Sequence, residues 1–511
     1  MIQGTASSVG KSLLTAGLCR IFRQEGYKVV PFKSQNMALN SFITSDGLEM
    51  GRAQVVQAEA AGIEPDVRMN PILLKPTTDR KSQVIINGKV YGNMPATEYH
   101  NFKPKLKEMI KETYEELASE NDIVVIEGAG SPAEINLKDR DIVNMGMAEI
   151  SGSPVLIVGD IDKGGVFASL AGTMMLLPEE EKRRVKGVII NKFRGDIEIL
   201  KPGIKMIEDI IHVPVLGVIP YTKLSIDDED SVSEKLSGRN EQKSSKTDIV
   251  VIRLPHISNY TDFNALENIP EVRVRYEEEV SKIGCPDLII IPGTKNTIED
   301  LLYLRNSGIE RTIIQLYRKG VPVFGICGGY QMMGIEINDP LNVESGLGNV
   351  PGMGLLDVIT SMKEEKRTMQ VEAQITPGSN KGILLGTQNI KVKGYEIHMG
   401  VTTPLDSIKD EQFSFTILDN KSSGKIQPDG ACDSQGKAVG TYIHGIFDNY
   451  EFTIKLVNNL RNLKGLNALD DEKMDYNSFK QMEYDKLAKV IREHLDMPKI
   501  YEIINTWKEG C

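Results

Sequence analysis

A cysteine flanked by glycines follows a short apolar run in the second half of the chain. Residues 325–331 are Gly-Ile-Cys-Gly-Gly-Tyr-Gln, directly after Val321–Phe324. Small residues around a central nucleophile are typical of a sharp turn from a strand into a helix. Such a turn exposes the nucleophile and points the next backbone N–H at a developing oxyanion. We therefore predict that Cys327 attacks a carbonyl carbon and that Gly328 provides an oxyanion donor.

A histidine at the end of a later β-rich run is the candidate base. Residues 440–445 are Gly-Thr-Tyr-Ile-His-Gly. A thiol nucleophile needs a base that removes its proton, and a cysteine and a histidine far apart in sequence can meet in the fold. The sequence therefore predicts a catalytic pair of Cys327 and His444. The alternative is that Cys327 is a small core residue and His444 a hydrogen-bonded structural one.

This pattern resembles the triad-type (class I) glutamine amidotransferase domain, over residues 248–450. The resemblance implies that glutamine is hydrolysed through a thioester and that ammonia is released. It also implies an oxyanion loop after the apolar run 287–291, where a Pro-Gly turn would present the backbone N–H groups of Gly293 and Thr294.

The chain departs from this family at one position of the expected triad. Most members carry a glutamate two residues after the histidine, which orients the imidazole, whereas this chain has Ile446. The branch that contains the cobyrinic and cobyric acid amidotransferases also lacks this glutamate. Without a carboxylate on the ring, we expect modest glutaminase activity that depends on bound ATP and corrinoid. Glu396 and His398 lie on one face of a predicted strand. They could replace the missing acid or line the path of glutamine or ammonia, and His398 could equally be structural. We assign no chemistry to His256.

The first residues of the chain contain a phosphate-binding loop. The stretch that begins at Gly4 is Gly-Thr-Ala-Ser-Ser-Val-Gly-Lys-Ser, and a helical pattern of apolar residues follows it. Gly4, Thr5 and Gly10 would bring backbone N–H groups and a helix N-terminus to the phosphates of ATP. Lys11 would reach the β- and γ-phosphates, and Ser12 would bind Mg²⁺. The spacing between the first glycine and the Gly-Lys-Ser end of this loop is one residue longer than usual, and it resembles that of the dethiobiotin synthetase-like group. Only three residues precede the loop, so we expect a chain that starts late and a short first strand.

Charged and polar residues at the ends of other apolar runs are predicted to complete the nucleotide site. Glu127 ends the β-branched run 122–126. Together with Asp46 and Ser12, it is predicted to bind Mg²⁺ at the carboxyl edge of a parallel sheet. Lys33 is predicted to bind ATP near the phosphates, and Asn191 near the base. For these residues a solvated loop position is the alternative.

A loop after the next buried run is predicted to face the substrate. Asp160 and Asp162 follow the run 155–158 and precede a pair of glycines, and Arg52 is expected near the same sheet edge. The alternative is that the glycine pair marks a simple turn.

Nearly the whole chain resembles the cobyric acid synthase family. The matching stretches are 4–12, 31–40 (PFKSQNMALN), 46–54, 127–137, 160–168, 191–195, 325–331, 394–400 (GYEIHMG) and 440–449. The resemblance implies that ATP and glutamine are used to amidate peripheral carboxylates of a corrinoid, converting adenosylcobyrinic acid a,c-diamide into cobyric acid. A carboxylate would be phosphorylated, and glutamine-derived ammonia would displace the phosphate.

Two alternatives belong to other classes. One is cobyrinic acid a,c-diamide synthase, which residues 31–40 disfavour. The other is a non-catalytic P-loop ATPase module of the partitioning type, which would carry a lysine where this chain has Thr5 and would leave Cys327 without a role.

Composition restricts the partners. The net charge of −11 speaks against nucleic-acid binding, and no apolar run approaches the ~20 residues that a membrane helix needs. Five cysteines without a Cys-x-x-Cys pair indicate free thiols in a reducing cytosol, so we expect a cytoplasmic protein.

Alternating strand-like and helical patterns predict an α/β chain with two doubly wound, mostly parallel-sheet domains. Residues 1–223 would form an ATP-binding synthetase (amidoligase) domain, and 224–247 a polar linker. Residues 248–450 would form a flavodoxin-like glutaminase domain. We expect 451–511 to be a helical extension packed on that second domain.

Overall fold

The computed structural model describes residues 1–78, 81–226, 246–405, 413–419, 427–469 and 476–509. The chain divides into two compact units. The first contains Met1–Ala38, the described residues between Glu49 and Asp230, and those from Asn477 onwards. The second contains Leu39–Leu48 and the described residues between Ser231 and Tyr476. Most of the predicted linker, residues 227–245, lies outside the described residues.

The first unit is built on parallel strands, as the apolar, β-branched runs predict. A sheet of four and a pair are joined by a parallel bridge between Ile2 and Glu127. In spatial order the strands are Val29–Phe32, Ile123–Ile126, Ile2–Gly4, Val155–Asp160, Val185–Phe193 and Val215–Pro220. The first strand in sequence is short, as expected.

Helices and short 3₁₀ turns connect these strands. The helices are Lys11–Gln24, Arg52–Ala61, Ala96–Glu120, Met145–Ile150, Val166–Leu176, Glu179–Lys182 and Ile197–Ile211, and the 3₁₀ turns are Val67–Met69 and Lys138–Arg140. The apolar faces of the longer helices bury against the sheet, so the strand ends that carry polar residues lie at one edge.

Residues 35–95 add a sheet that periodicity did not predict. Its strands are Gln35–Met37, Ile72–Thr78, Lys81–Ile86 and Lys89–Pro95, and the last three pair antiparallel. A further short strand is Glu49–Gly51. The segment therefore extends the first unit beyond a plain doubly wound sheet.

The C-terminal helices differ from the prediction. Helices Tyr476–His494 and Met497–Glu509 pack within the first unit, whereas helix Tyr450–Leu463 packs within the second. The reason is an apolar stripe at helical spacing, formed by Tyr484, Leu487, Ala488 and Ile491. A Cβ on Gly17 would lie 2.1 Å from Ile491 Cδ1, so this stripe packs closely on the helix after the phosphate loop.

The second unit has its own mostly parallel sheet. Its strands in spatial order are Val272–Glu277, Thr247–Ile252, Leu288–Ile291, Val323–Ile326, Ala438–Thr441 and Ala431–Cys432, of which the last is antiparallel. Its helices are Asn264–Glu267, Val280–Ile283, Thr297–Asn306, Ile309–Arg318, Gly328–Met333 and Tyr450–Leu463, with 3₁₀ turns at Tyr260–Phe263, Pro377–Ser379, Gly382–Leu384 and Ile446–Asp448.

A second sheet in this unit contains a long antiparallel hairpin, Val358–Ile375 with Lys391–Pro404. Its other strands are Glu336–Asn338, Asn349–Pro351, Phe415–Asp419 and Gln427–Asp429, and Ser41–Ile43 is a short strand of the same unit. The α/β fold with two parallel-sheet domains is thus confirmed, with antiparallel additions to both. Among the helices of the described ranges, none combines the length and apolar character needed to cross a membrane.

Candidate active site

Cys327 occupies a strained turn between a buried strand and a short helix. Strand Val323–Ile326 ends one residue before it and helix Gly328–Met333 begins one residue after it. The cysteine has φ 50° and ψ −108°, which a non-glycine residue rarely adopts. A Cβ on Gly329 would lie 2.0 Å from Ile291 O, so only glycine fits beside the neighbouring strand. The turn therefore has the geometry that the glycine pattern predicts.

His444 is held by a buried aspartate. Its Nδ1 lies 2.7 Å from Asp262 Oδ2, and the other carboxylate oxygen accepts a hydrogen bond of 2.9 Å from Gly445 N. Both side chains are buried. A carboxylate on Nδ1 fixes the tautomer and stabilises the imidazolium, which is the role of the third triad residue.

The expectation of an unanchored imidazole was therefore wrong. Ile446 lacks a carboxylate, but Asp262 supplies one from a position 182 residues upstream of the histidine. Glu396, the candidate replacement, instead forms an ion pair of 2.6 Å with Arg367 and lies 3.9 Å from His398. Because Asp262 holds the His444 ring, Ile446 gives no reason to expect slow basal glutaminase activity.

The surroundings of His444 favour the protonated ring. Burial disfavours the imidazolium, but the charge and hydrogen bond of Asp262, together with those of Cys327, raise the pKa of His444 to about 10. The ring of Tyr395 stacks on the imidazole, with centroids 5.4 Å apart and an interplanar angle of 19°. This environment stabilises the imidazolium that forms when the ring takes a proton from the nucleophile.

The predicted oxyanion loop lies against both catalytic residues. A Cβ on Gly293 would be 2.9 Å from His444 Cε1, and one on Gly328 would be 3.2 Å from Thr294 N. The backbones of Gly293, Thr294 and Gly328 are therefore close together, as an oxyanion hole requires.

A buried aspartate fixes this loop. The Thr294 hydroxyl donates to Asp300 Oδ2, and His256 Nδ1 lies 2.8 Å from Asp300 Oδ1. Lys295 N donates to His256 O at 3.0 Å. His256, to which the sequence assigned no chemistry, thus helps to hold the loop in place.

Residues of the long hairpin lie beside the segment that contains Cys327. Cys327 Sγ lies 3.5 Å from Ile397 O. The Gln331 amide donates to Tyr442 Oη at 3.1 Å, and His398 stacks on the Tyr442 ring with centroids 3.7 Å apart. Glu396 and His398 therefore lie beside the cysteine segment, and a role for them in the glutamine or ammonia path stays a prediction.

The first unit brings the predicted phosphate loop to the Glu127 carboxylate. Ser12 Oγ donates to Glu127 Oε1 at 2.9 Å, and Lys33 Nζ lies 3.0 Å from the same oxygen. Gln57 Nε2 donates to Glu127 Oε2 at 2.5 Å. Lys11 Nζ donates to Ala6 O and Gly130 O, at 2.9 and 3.1 Å. The ammonium group of Lys11 therefore lies within the phosphate loop and contacts the backbone at Gly130, three residues after Glu127.

The remaining loop residues adopt positions that their types explain. Gly10, with φ 94°, is the N-cap residue of helix Lys11–Gln24. A Cβ on Gly4 would lie 2.6 Å from Val9 Cγ2. Thr5 N donates to Val158 O at 2.9 Å, and Asn191 Nδ2 donates to Val9 O at 2.8 Å. Asn191 therefore holds the loop backbone, and a contact with the nucleotide base stays a prediction.

Asp46 is not among the residues near Glu127 within the first unit. It belongs to the second unit, in an exposed turn where Thr44 N donates to Leu48 O and Gly47 has φ 83°. Asp-Gly at this spacing is a turn signal, which accounts for both residues without a metal. Asp46 as a Mg²⁺ ligand stays a prediction.

The predicted substrate residues have intramolecular partners. Asp160 lies 3.1 Å from Lys192 Nζ, which also donates to Ser8 O of the phosphate loop. Asp162 pairs with Arg194 at 2.8 Å. The acids of this loop are therefore neutralised by cations, and Arg52 is buried at the start of its helix.

Comparison with known proteins agrees with this two-site geometry. The chain matches a family described as the CobQ/CobB/MinD/ParA nucleotide binding domain over residues 1–232, and one described as the CobB/CobQ-like glutamine amidotransferase domain over residues 248–452. It is thus a nucleotide-binding module joined to a glutamine amidotransferase module of the CobB/CobQ type.

Relatives align along the full length of the chain. The cobyric acid synthases of Thermoanaerobacter sp. (strain X514) and Alkaliphilus metalliredigens (strain QYMF) are 55% and 57% identical to it, over 100% and 99% of this chain and 99% of each relative. That of Clostridium botulinum (strain ATCC 19397 / Type A) is 56% identical over 99% of both. The chain belongs to the cobyric acid synthase family, and it is a ligase with a glutamine amidotransferase domain.

Proposed function

We propose that this enzyme amidates peripheral carboxylates of adenosylcobyrinic acid a,c-diamide to give cobyric acid, with ATP and glutamine as co-substrates. The observation that carries the proposal is the presence of two different chemical sites in one chain. One holds a thiol nucleophile with a base and an acid, and the other holds a phosphate loop beside a buried carboxylate. A glutaminase alone has no need of the second site.

In the glutaminase site, Cys327 attacks the side-chain amide carbon of glutamine. His444 takes the thiol proton and passes it to the departing ammonia, while Asp262 stabilises the imidazolium. The backbone N–H groups of Gly328 and of the Gly293–Thr294 loop stabilise the oxyanion. Water then hydrolyses the thioester, and glutamate leaves.

In the synthetase site, a corrinoid carboxylate oxygen attacks the γ-phosphorus of ATP and ADP departs. Lys11 neutralises phosphate charge, and backbone N–H groups after Gly10 bind phosphate oxygens. Ammonia then attacks the acyl carbon, and phosphate leaves as the amide forms.

Ser12 and Glu127 are the residues that would hold Mg²⁺. Their oxygens are 2.9 Å apart at the phosphate loop, and the carboxylate is buried. Within the described residues no group of three or more His, Cys, Asp or Glu side chains is arranged for a metal. Two protein oxygens fit Mg²⁺, which keeps several waters and binds mainly through the nucleotide phosphates; there it would neutralise charge on those phosphates.

Exposed apolar side chains near this site would suit the corrin ring. Met37 lies four residues after Lys33, and Ile135 and Leu137 follow Glu127 within ten residues. They are 53%, 61% and 42% exposed. Ligand sites are lined mainly by apolar side chains, so we propose that these three contribute to the surface that binds the macrocycle.

The proposed setting is the cytoplasm. The described cysteines, Cys19, Cys285, Cys327 and Cys432, are free thiols, and reduced thiols are typical of a reducing compartment.

The test is to incubate the protein with ATP, Mg²⁺, the a,c-diamide and either glutamine or ammonium chloride. Mass spectrometry counts the amides gained by the corrinoid. Amide gain from both nitrogen sources, dependent on ATP, is expected. ATP and glutamine hydrolysis without a change in corrinoid mass would contradict the proposal.

A further inference from the structure

Leu39–Leu48 belongs to the second unit although its neighbours in sequence belong to the first. Ala38 precedes the segment, and Lys33, whose ammonium lies 3.0 Å from Glu127, is only a few residues further back. One short covalent stretch thus runs from the phosphate site to a segment that packs in the glutaminase unit.

The backbone of Ser41 contacts two residues that flank the catalytic base. Ser41 N donates to Asn259 Oδ1 at 3.0 Å, and Tyr395 Oη donates to Ser41 O at 3.1 Å. Asn259 Nδ2 lies 3.5 Å from each ring nitrogen of His444, and the Tyr395 ring stacks on the imidazole. A displacement of Ser41 would therefore disturb both neighbours of the base.

Asn40 anchors the turn that carries the triad aspartate. Its Oδ1 accepts a hydrogen bond of 3.2 Å from Tyr260 N, the first residue of the 3₁₀ turn Tyr260–Phe263 that contains Asp262. Asn40 and Ser41 are each 1% exposed. Asn259, next to this turn, has φ 52°, a conformation that surrounding contacts must maintain.

The segment is held along its whole length. Ile43 packs with Tyr395 and Ile397, and Phe42 makes an edge-on contact with the Tyr395 ring at 5.4 Å. At the far end, the Thr368 hydroxyl donates to Gly47 O at 2.8 Å. These contacts make the segment part of the glutaminase site's support.

We propose that Asn40 and Ser41 are positioning residues for the glutaminase base, and that the state of the phosphate site reaches His444 through residues 33–41. The coupling part of this inference depends on the proposed function. Phosphates and Mg²⁺ compete with Lys33 for Glu127, so their binding changes the start of this stretch. Because Lys33 and Ser41 are joined by only a few residues of backbone, a displacement at Lys33 would move Asn40 and Ser41 and so the contacts that hold the base. Glutamine hydrolysis is then fastest when nucleotide and corrinoid occupy the synthetase site, so ammonia forms when an acceptor is present to react with it.

The central variant is Asn40→Ala, which removes the acceptor for Tyr260 N. We expect kcat for glutamine hydrolysis to fall about tenfold or more with KM little changed, since a small misplacement of the base affects the reaction more than binding. Asn40→Asp keeps an oxygen acceptor and should recover most of the rate. The stimulation of glutaminase by ATP, Mg²⁺ and corrinoid should shrink in Asn40→Ala, while synthesis from ammonium chloride stays at the wild-type rate.

Thr368→Val is the matched control, because it removes one hydrogen bond at the other end of the same segment. Its glutaminase rate should change by less than about twofold. Equal losses in Asn40→Ala and Thr368→Val, or a wild-type kcat in Asn40→Ala, would overturn the inference.

Tyr395→Phe provides a second variant if Asn40→Ala does not fold. It deletes the hydroxyl that donates to Ser41 O and keeps the stacked ring, so kcat should fall several-fold, and an unchanged kcat would contradict the role of Ser41. Glutamine hydrolysis consumes only glutamine and water, so it can be measured without corrinoid. These rates therefore test the positioning role even if wild-type protein forms no corrinoid amide, a failure that would belong to the proposed function.

Discussion

The glutaminase site and the phosphate site share a backbone arrangement but differ in the partners of their side chains. In each, a glycine-containing turn joins a parallel strand to a helix N-terminus: Gly4–Gly10 leads into Lys11–Gln24, and Cys327 leads into Gly328–Met333. In the glutaminase site, nucleophile, base and acid are all protein side chains that contact one another. In the phosphate site, charged side chains instead bond to a carboxylate and to loop carbonyls.

This difference shows which site depends on its ligands. The Cys327–His444–Asp262 arrangement is assembled by the fold, so its three side chains are in contact before glutamine binds, and the proposed link through residues 33–41 only adjusts the rate. In the proposed mechanism, Lys11, Lys33 and Ser12 exchange their present partners for phosphates and Mg²⁺, so the phosphate site would acquire its working charge pattern only with nucleotide. Variants should therefore separate the sites cleanly, and the following ones test that separation.

Lys11→Ala should have the largest effect, because amide formation from either nitrogen source needs phosphoryl transfer. We expect synthesis to fall at least ~10³-fold with glutamine and with ammonium chloride, since the lysine neutralises charge on the phosphates. Cys327 should still be alkylated by a glutamine-analogue chloroketone at the wild-type rate. Retained synthesis from ammonium chloride would rule out the proposed role of Lys11.

Cys327→Ala should remove only one of the two activities. Glutamine-dependent synthesis should fall at least ~10⁴-fold, as expected for the loss of a covalent nucleophile. Synthesis from ammonium chloride should stay near the wild-type rate, because the phosphate site contains no part of the thiol machinery. If a folded variant loses both activities, the two sites are not chemically separable.

Local and non-local signals explain which features could be predicted. The Cys327 turn and the Ser12 loop were predictable because a few adjacent residues specify each. Asp262 was missed because its meeting with His444 depends on the sheet: Asp262 follows strand Thr247–Ile252 and His444 follows strand Ala438–Thr441, and these strands run parallel in one sheet, so that both residues come to the same edge. A polar cluster after an apolar run, Asn259 to Asp262, was the available signal.

One prediction stays open, and another was wrong for a physical reason. Asp46 as a Mg²⁺ ligand stays a prediction: Asp-Gly is a turn signal, and the structure has that turn. The C-terminal residues were assigned to the glutaminase domain because they look polar overall, yet their apolar stripe from Tyr484 to Ile491 is what packs. Periodicity predicts a helix and its buried face, but it does not say which unit that face covers.

Asp262→Asn tests whether the glutaminase site is complete in itself. Loss of the carboxylate removes both the orientation of the His444 ring and the charge that stabilises it, so glutamine-dependent synthesis should fall about 10²- to 10⁴-fold. Synthesis from ammonium chloride should be unchanged. A Glu396→Gln variant is the comparison, since Glu396 contacts Arg367 rather than His444, and it should lose less.

The same variant has a predicted pH signature. Burial lowers the pKa of His444, but Asp262 and Cys327 together raise it to about 10, whereas an unfolded histidine titrates near ~6.5. A raised pKa stabilises the folded state fully below ~6.5, and this contribution is lost as pH rises through about 10. The difference in Tm between wild type and Asp262→Asn should therefore be larger at pH 6 than at pH 10.5. A difference that is constant with pH would contradict the ion pair.

The smallest predicted effect concerns acceptor binding at the phosphate unit. Ile135 is 61% exposed and follows Glu127 by eight residues, and we propose that a bound corrin ring covers it. Ile135→Asp should raise KM for the corrinoid about tenfold, by placing a charge against apolar and anionic ligand surface, and leave KM for ATP and glutaminase turnover unchanged. Met206→Asp is the matched control, because Met206 is 67% exposed on helix Ile197–Ile211 of the same unit and should leave all three quantities unchanged. An equal rise in KM for both variants would point to the added negative charge alone, and no rise in either would remove this surface from the corrinoid site.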